Sequence, residues 1–175
     1  MHDLAFYAHV AACGEVLGVG IGSQPAEWKT ALGGDYLDIE SQGLLRRDYG
    51  LVELSFQQEE GSWTCFGISV QVHRLRLDTA AQVPAALQHR YGPFSPRARF
   101  DKLSAEITDQ GYVIETDNDA ATTDIHRYKV LGSGVRILVV AESSPASTDS
   151  GFFEGTRAGD VHRLSVSPAW WQSMN

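Results

Sequence analysis

The strongest constraint on this chain is a pair of alternating stretches around a polar turn. Residues 49–56 alternate apolar with polar side chains, residues 57–62 are polar, and residues 63–77 alternate again. This pattern predicts an antiparallel hairpin within a β region that begins at Leu44. Side chains alternate at period two, so Cys65, Gly67, Ser69, Gln71 and His73 are predicted on one face. Phe66, Ile68, Val70, Val72 and Arg74 fall on the other, with the Phe66 face toward the core.

Helices are expected around this hairpin. Residues 4–11 are compatible with a short helix or an edge strand. Residues 16–21 read as a short strand, and Ser23 then caps a helix from Pro25 to Leu32, closed by Gly33 and Gly34. Pro84 is tolerable only in a first turn, so the helix in residues 80–91 is expected to start near Val83 and stop at Gly92. Phe100, Leu103 and Ile107 mark one face of another helix, over residues 100–109. Strands follow at 112–115, 125–129, 135–142 and 161–166, with a long Ser, Gly and Pro-rich loop at 143–159. Strands with helices interspersed predict one α+β domain over residues 1–175, a largely antiparallel sheet with a few short helices packed on it. Val72-His73-Arg74-Leu75 echoes Val161-His162-Arg163-Leu164, as a weak strand and helix duplication would.

Composition narrows the function. A chain of 175 residues with 14 Lys and Arg against 22 Asp and Glu carries a formal charge of −8. That field repels nucleic acid and attracts a basic partner. Cys13 and Cys65 lack CxxC spacing, so neither zinc nor a disulfide framework is indicated and a reducing cytoplasm is the simplest compartment. Residues 10–13 look like a lipoprotein cleavage box, but no Lys or Arg precedes them and Asp3 and His9 interrupt a short segment, so no signal is expected. No run long enough to span a membrane is present.

The chemical motifs fall short one by one. Gly18, Gly20 and Gly22 lie before a helix, but the next glycine of a dinucleotide fingerprint is missing and no GxxxxGK[ST] loop exists. His73, His89, His126 and His162 are each followed by Arg and make no metal-ligand pattern, so they read as ordinary surface residues. Ser69 stands mid-strand without a nucleophile elbow, and Cys65 reads as a structural thiol. Asp117, Asn118, Asp119 and Asp124 lack the glycine and the glutamate of an EF-hand and read as a solvated acidic loop. No catalytic residue, metal or cofactor is assigned.

Two acidic groups remain as binding candidates. Asp35, Tyr36, Asp38 and Glu40 combine carboxylates with aromatic contact area in what reads as a solvated connection. Asp117, Asp119 and Asp124 form the second group, and Trp170 with Trp171 add an aromatic pair. The run from Leu44 to Phe56, with Trp63 and residues 68–75, resembles small uncharacterised bacterial proteins found beside polymorphic toxins, which look like immunity proteins. The resemblance covers residues 18–77 and implies a protein that neutralises a cognate, basic toxin domain by direct binding, without catalysis. Two other readings stay open: a ligand-binding domain or enzyme with a pocket near residues 18–22 and the 143–159 loop, and an oligomerising module built on strand edges and the tryptophans. Oligomeric state is not legible.

Overall fold

A computed structural model describes residues 2–117, 124–142 and 155–172. The architecture is α+β, and among the described residues eight strands form one antiparallel sheet. The strands are β1 (Leu37–Ser41), β2 (Leu44–Asp48), β3 (Val52–Glu59), β4 (Ser62–Val70), β5 (Ile114–Thr116), β6 (Ile125–Val130), β7 (Arg136–Val140) and β8 (Val161–Val166). Their order, β1-β2-β3-β4-β8-β7-β6-β5, is two four-stranded meanders that meet at β4 and β8. Each meander enters the sheet at an outer edge and leaves it at the centre. The helices are α1 (Asp3–Cys13), α2 (Pro25–Leu32), α3 (Thr79–Gln82), α4 (Ala85–Tyr91), α5 (Phe100–Asp109) and α6 (Ala169–Gln172), with a 3₁₀ turn at Val72–Arg76. Among the described residues no helix is long and apolar enough to cross a membrane.

The core lies between one face of this sheet and α1, α2, α4 and α5. Phe6, Tyr7 and Val10 of α1, Trp28 of α2, Leu87 of α4 and Leu103 and Ile107 of α5 pack with Leu54, Phe56, Ile68, Ile137 and Leu164. The first segment therefore resolves as a helix, and it is buried on several sides rather than amphipathic. Its Phe6 ring meets Tyr7, Tyr91 and Phe94 at centroid distances of 5.4 to 5.7 Å, the range in which tilted aromatic pairs attract. Asp3 ties that helix to the chain ahead of α5 by accepting the Ser95 N–H at 2.8 Å.

Several sequence expectations are corrected. Residues 16–21 form a tight turn, with Val16 and Val19 bridged and Leu17 and Gly18 at positive φ, so no strand fits there. The α2 cap is Gln24, whose side chain and Glu27 make a capping box, while the Ser23 hydroxyl donates to the Gly20 carbonyl. β4 stops at Val70 and residues 72–76 wind into the 3₁₀ turn, because the Gln71 N–H is taken by the Leu51 carbonyl at 2.6 Å. Thr79 already begins α3, capped by Asp78, and α4 restarts after Pro84. The last three predicted strands before β8 shift by one or two residues, whereas β8 and α5 fall on the predicted ranges.

The predicted core face of β4 holds at Ile68 and Val70 but fails at Phe66. Ser55 faces Gly67 and Phe56 faces Cys65, which leaves Phe66 as the extra residue of a β-bulge. One unpaired residue inverts the alternation, so Cys65 joins Ile68 and Val70 in the core while Phe66 is only partly covered. Burial pushes the Cys65 thiol up to about 12, against smaller opposing contacts with the Gly67 backbone and Trp28. It is a free, buried thiol, whereas Cys13 is free and exposed.

Candidate functional site

Burial in β3 alternates residue by residue, so one face of the sheet feeds the core and the other carries polar side chains. On that second face the register aligns a row across the sheet. Lys129 stands opposite Arg136, Arg136 opposite Ser165, Ser165 opposite Ser69, Ser69 opposite Glu53, Glu53 opposite Asp48, and Asp48 opposite Leu37. Residues directly opposite in antiparallel strands point the same way. This open face has three zones of different chemistry.

The first zone is the β1 edge. All five residues of β1 are exposed, including the large apolar Leu37 and Ile39, and Leu44 on β2 is exposed beside them. Residues 37–41 were expected to be a solvated connection, but Leu and Ile alternate with Asp and Glu, which suits an edge strand whose other side has no partner strand. Asp38 is committed structurally: it pairs with the buried Arg47 through Nε at 2.8 Å and Nη2 at 3.0 Å. Tyr36 lies against the same guanidinium, 3.7 Å from its ring centroid, and Arg47 also donates to the Pro25 carbonyl of α2. Asp35 and Glu40 are exposed and have no ion pair among the described residues.

The centre of the face is an ion-pair network. Arg74 donates to Asp48 at 2.9 Å, to Glu53 at 2.9 Å and to the Gly50 carbonyl at 2.8 Å. It fixes the end of the β2–β3 hairpin against the 3₁₀ turn. These charges are mutually compensated.

The third zone is a cleft of about 560 Å³ over β6, β7 and β8, lined by Asp117, Arg127, Arg136, Leu138, Arg163, Ser165, Ser167 and Trp171. Arg127 and Arg163 stand opposite Leu138 from either side, and Arg136 is two residues along the same central strand. Asp117 pairs with Arg136 at 2.8 Å and is largely buried, so it is not part of a solvated acidic loop. Among the described residues the side chains of Arg127 and Arg163 make no hydrogen bond or ion pair, and the Arg163 Nε is sealed from water without a partner. Burial, then the neighbouring Arg127, lowers the Arg163 pKa, and Glu53 offsets this in part.

The remaining sequence candidates scatter. Asp124 is exposed at the start of β6, Asp119 lies outside the described residues, and Trp170 is exposed beside Trp171 at a centroid distance of 5.7 Å. Of the nine candidates, Asp117 and Trp171 meet at the cleft, while Asp38 and Tyr36 meet on Arg47. The glycine segment lines a shallow depression with Val166 and Ala169, at the C-terminal end of β8. Residues 155–160 lie at its other end, where Arg97 and Arg99 hold Asp160, so the two segments do not converge; residues 143–154 lie outside the described residues. Among the described residues no group of three metal-type ligands is found.

The histidines are not all surface residues. His162 is buried and stacks on His73 at 4.2 Å, with the His73 Nδ1 donating to the His162 carbonyl. The echoed tetrapeptides that carry them take different forms, a 3₁₀ turn and a strand. Burial, then His73, Arg163 and Arg76, pushes the His162 pKa down to about 4, and burial lowers that of His73. An unfolded histidine titrates near 6.5, so between pH 6.5 and 4 the unfolded chain binds protons that the folded one refuses. The stability contributed by the neutral pair is therefore complete above about pH 6.5 and falls with pH below it. Urea midpoints should decline from pH 7 to pH 5, and His162→Gln should flatten that decline; a flat wild-type profile contradicts this.

No protein-family model, curated protein or solved structure matches the chain. Fold and surface define an α+β protein with an open-faced antiparallel sheet.

Proposed function

We propose that this chain is a binding protein of the immunity type, which neutralises a basic toxin domain by covering it with the β1–β2 edge. The observation that carries this reading is β1 itself: an edge strand exposed along its whole length, with Leu37, Ile39 and the adjacent Leu44 exposed beside Asp35 and Glu40. Unpaired backbone groups, apolar area and uncompensated carboxylates in one place are what strand addition by a cationic partner needs. The resemblance of residues 18–77 to immunity proteins and the formal charge of −8 point the same way. On this reading the protein stays in the cytoplasm of the producing cell and needs no cofactor.

The test is co-expression and co-purification with the toxin domain encoded beside its gene. Protection of the cell and a complex that weakens at high salt are expected. Ile39→Lys and Glu40→Lys together should lower affinity at least tenfold, since each adds a positive charge to the edge and one removes apolar contact. Unchanged affinity would remove β1 from the interface, and a chain that neither binds nor protects would end the reading. A second copy pairing along β1 is the competing occupant, which sedimentation of the wild type against the same variant distinguishes.

A further inference from the structure

The cleft over β6, β7 and β8 is built for a different occupant from the β1 edge. Its lining holds three arginines and one carboxylate, an excess of two positive charges in a chain whose total is −8. Among the described residues only Arg136 is neutralised, by Asp117. Arg127 and Arg163 flank Leu138 from the strands on either side of it, about 10 Å apart at the backbone, so that both long side chains can reach a group bound over Leu138. The two like charges repel and gain nothing structurally from facing each other across β7. Glu53, the carboxylate that offsets the burial of Arg163 in part, is already engaged by Arg74.

The rest of the lining suits an anion with a flat body. Ser165 on β8 and Ser167 just past its end line the cleft beyond Arg163, and the half-exposed Trp171 indole forms part of the wall. Planar guanidiniums bind the oxygens of phosphate in pairs, and an indole offers a face to a ring. The volume falls within the range of small-molecule sites, and exceeds what a bare oxyanion fills.

We infer that this cleft binds a small phosphate monoester with a planar body, of the size and charge of a nucleoside 5′-monophosphate, with Arg127, Arg163 and Arg136 on the phosphate and Trp171 against the ring. This assignment is independent of the partner proposed for the β1 edge, and either can fail alone.

The experiment is calorimetric titration of the full chain at low ionic strength with the four ribonucleoside 5′-monophosphates, the matching nucleosides and inorganic phosphate. At least one monophosphate should bind tenfold or more tightly than its nucleoside and than inorganic phosphate. Arg127→Gln and Arg163→Gln should each weaken it at least tenfold, and Trp171→Ala should bring it toward inorganic phosphate. Arg127 is not in the core, so its variant keeps the test open if Arg163→Gln folds poorly. The inference is overturned if no monophosphate binds, if the nucleoside or inorganic phosphate binds as tightly, if Arg127→Gln changes nothing, or if a short oligonucleotide binds more tightly than any mononucleotide.

Discussion

Gly50→Ala is expected to destabilise the fold by about 3 to 5 kcal/mol, the sum of a left-handed backbone penalty and a clash that cannot relax. Gly50 sits at φ +91° between β2 and β3, and a Cβ there would stand 2.5 Å from the Gln82 carbonyl oxygen. That oxygen is held in place, because it accepts the Leu51 N–H at 2.7 Å at the end of α3. The Gly50 N–H is taken by Asp48 and its carbonyl by Arg74, so the turn is fixed from both sides. Gly111→Ala is the control. It has a similar φ of +89°, but a Cβ there would meet nothing within 4 Å. Its cost should stay near the backbone penalty of about 1 to 2 kcal/mol. Urea midpoints for the two variants measure the gap, and equal losses would show that backbone contact at Gln82 is not what Gly50 relieves. Since whole domains have about 5 to 15 kcal/mol of stability, Gly50→Ala should leave a marginal protein.

What could be read in the sequence depended on whether a feature was local. The α5 helix and β8 were legible because Phe100, Leu103 and Ile107 repeat at helical spacing and residues 161–166 are bounded by Asp160 and Pro168. The core face of β4 was legible at Ile68 and Val70 but not ahead of them, because a single bulged residue, Phe66, shifts the period-two pattern there without leaving a compositional mark. β1 was present as an alternation, Leu-Asp-Ile-Glu-Ser, but its carboxylates drew it into an acidic cluster. There the structure separates Asp38, used inside the fold, from Asp35 and Glu40, which face solvent.

The arginine cleft was illegible for a different reason. Arg127, Arg136 and Arg163 become neighbours only because β8 returns to the centre of the sheet beside β7. Sheet order is a tertiary property that no local spacing encodes. A faint signal is present, since Arg127 and Arg163 occupy outward positions of alternating strands, each directly after a histidine. Bulk charge misleads in the same way: a chain of −8 has a cleft lined by three arginines and one aspartate.

Asp38→Ala should cost about 2 to 3 kcal/mol, because it strands the buried Arg47 guanidinium, the full penalty being reduced by water that reaches the partly exposed Asp38 side. The Arg47 side chain is 6% exposed and that of Asp38 is 35% exposed. Burial works against the Arg47 charge, yet Asp38 outweighs it, with smaller contributions from Tyr49 and Tyr36, and the guanidinium pKa is raised. Without Asp38 the guanidinium retains the Pro25 carbonyl and the faces of Tyr36 and Phe56, which cannot replace a bidentate carboxylate. Arg47→Met reverses the asymmetry. It leaves an apolar side chain of similar length in the buried place, and Asp38 can take water, so the loss should be about 1 to 2 kcal/mol. The double variant should recover most of the difference, with a coupling of at least about 1 kcal/mol in a mutant cycle. Glu40→Lys, exposed two residues away, should shift stability by less than about 0.5 kcal/mol. Equal losses for Asp38→Ala and Arg47→Met would mean that the pair is held by water rather than by burial. The ordering expected here makes Glu40, and not Asp38, the carboxylate whose substitution can report on partner binding alone.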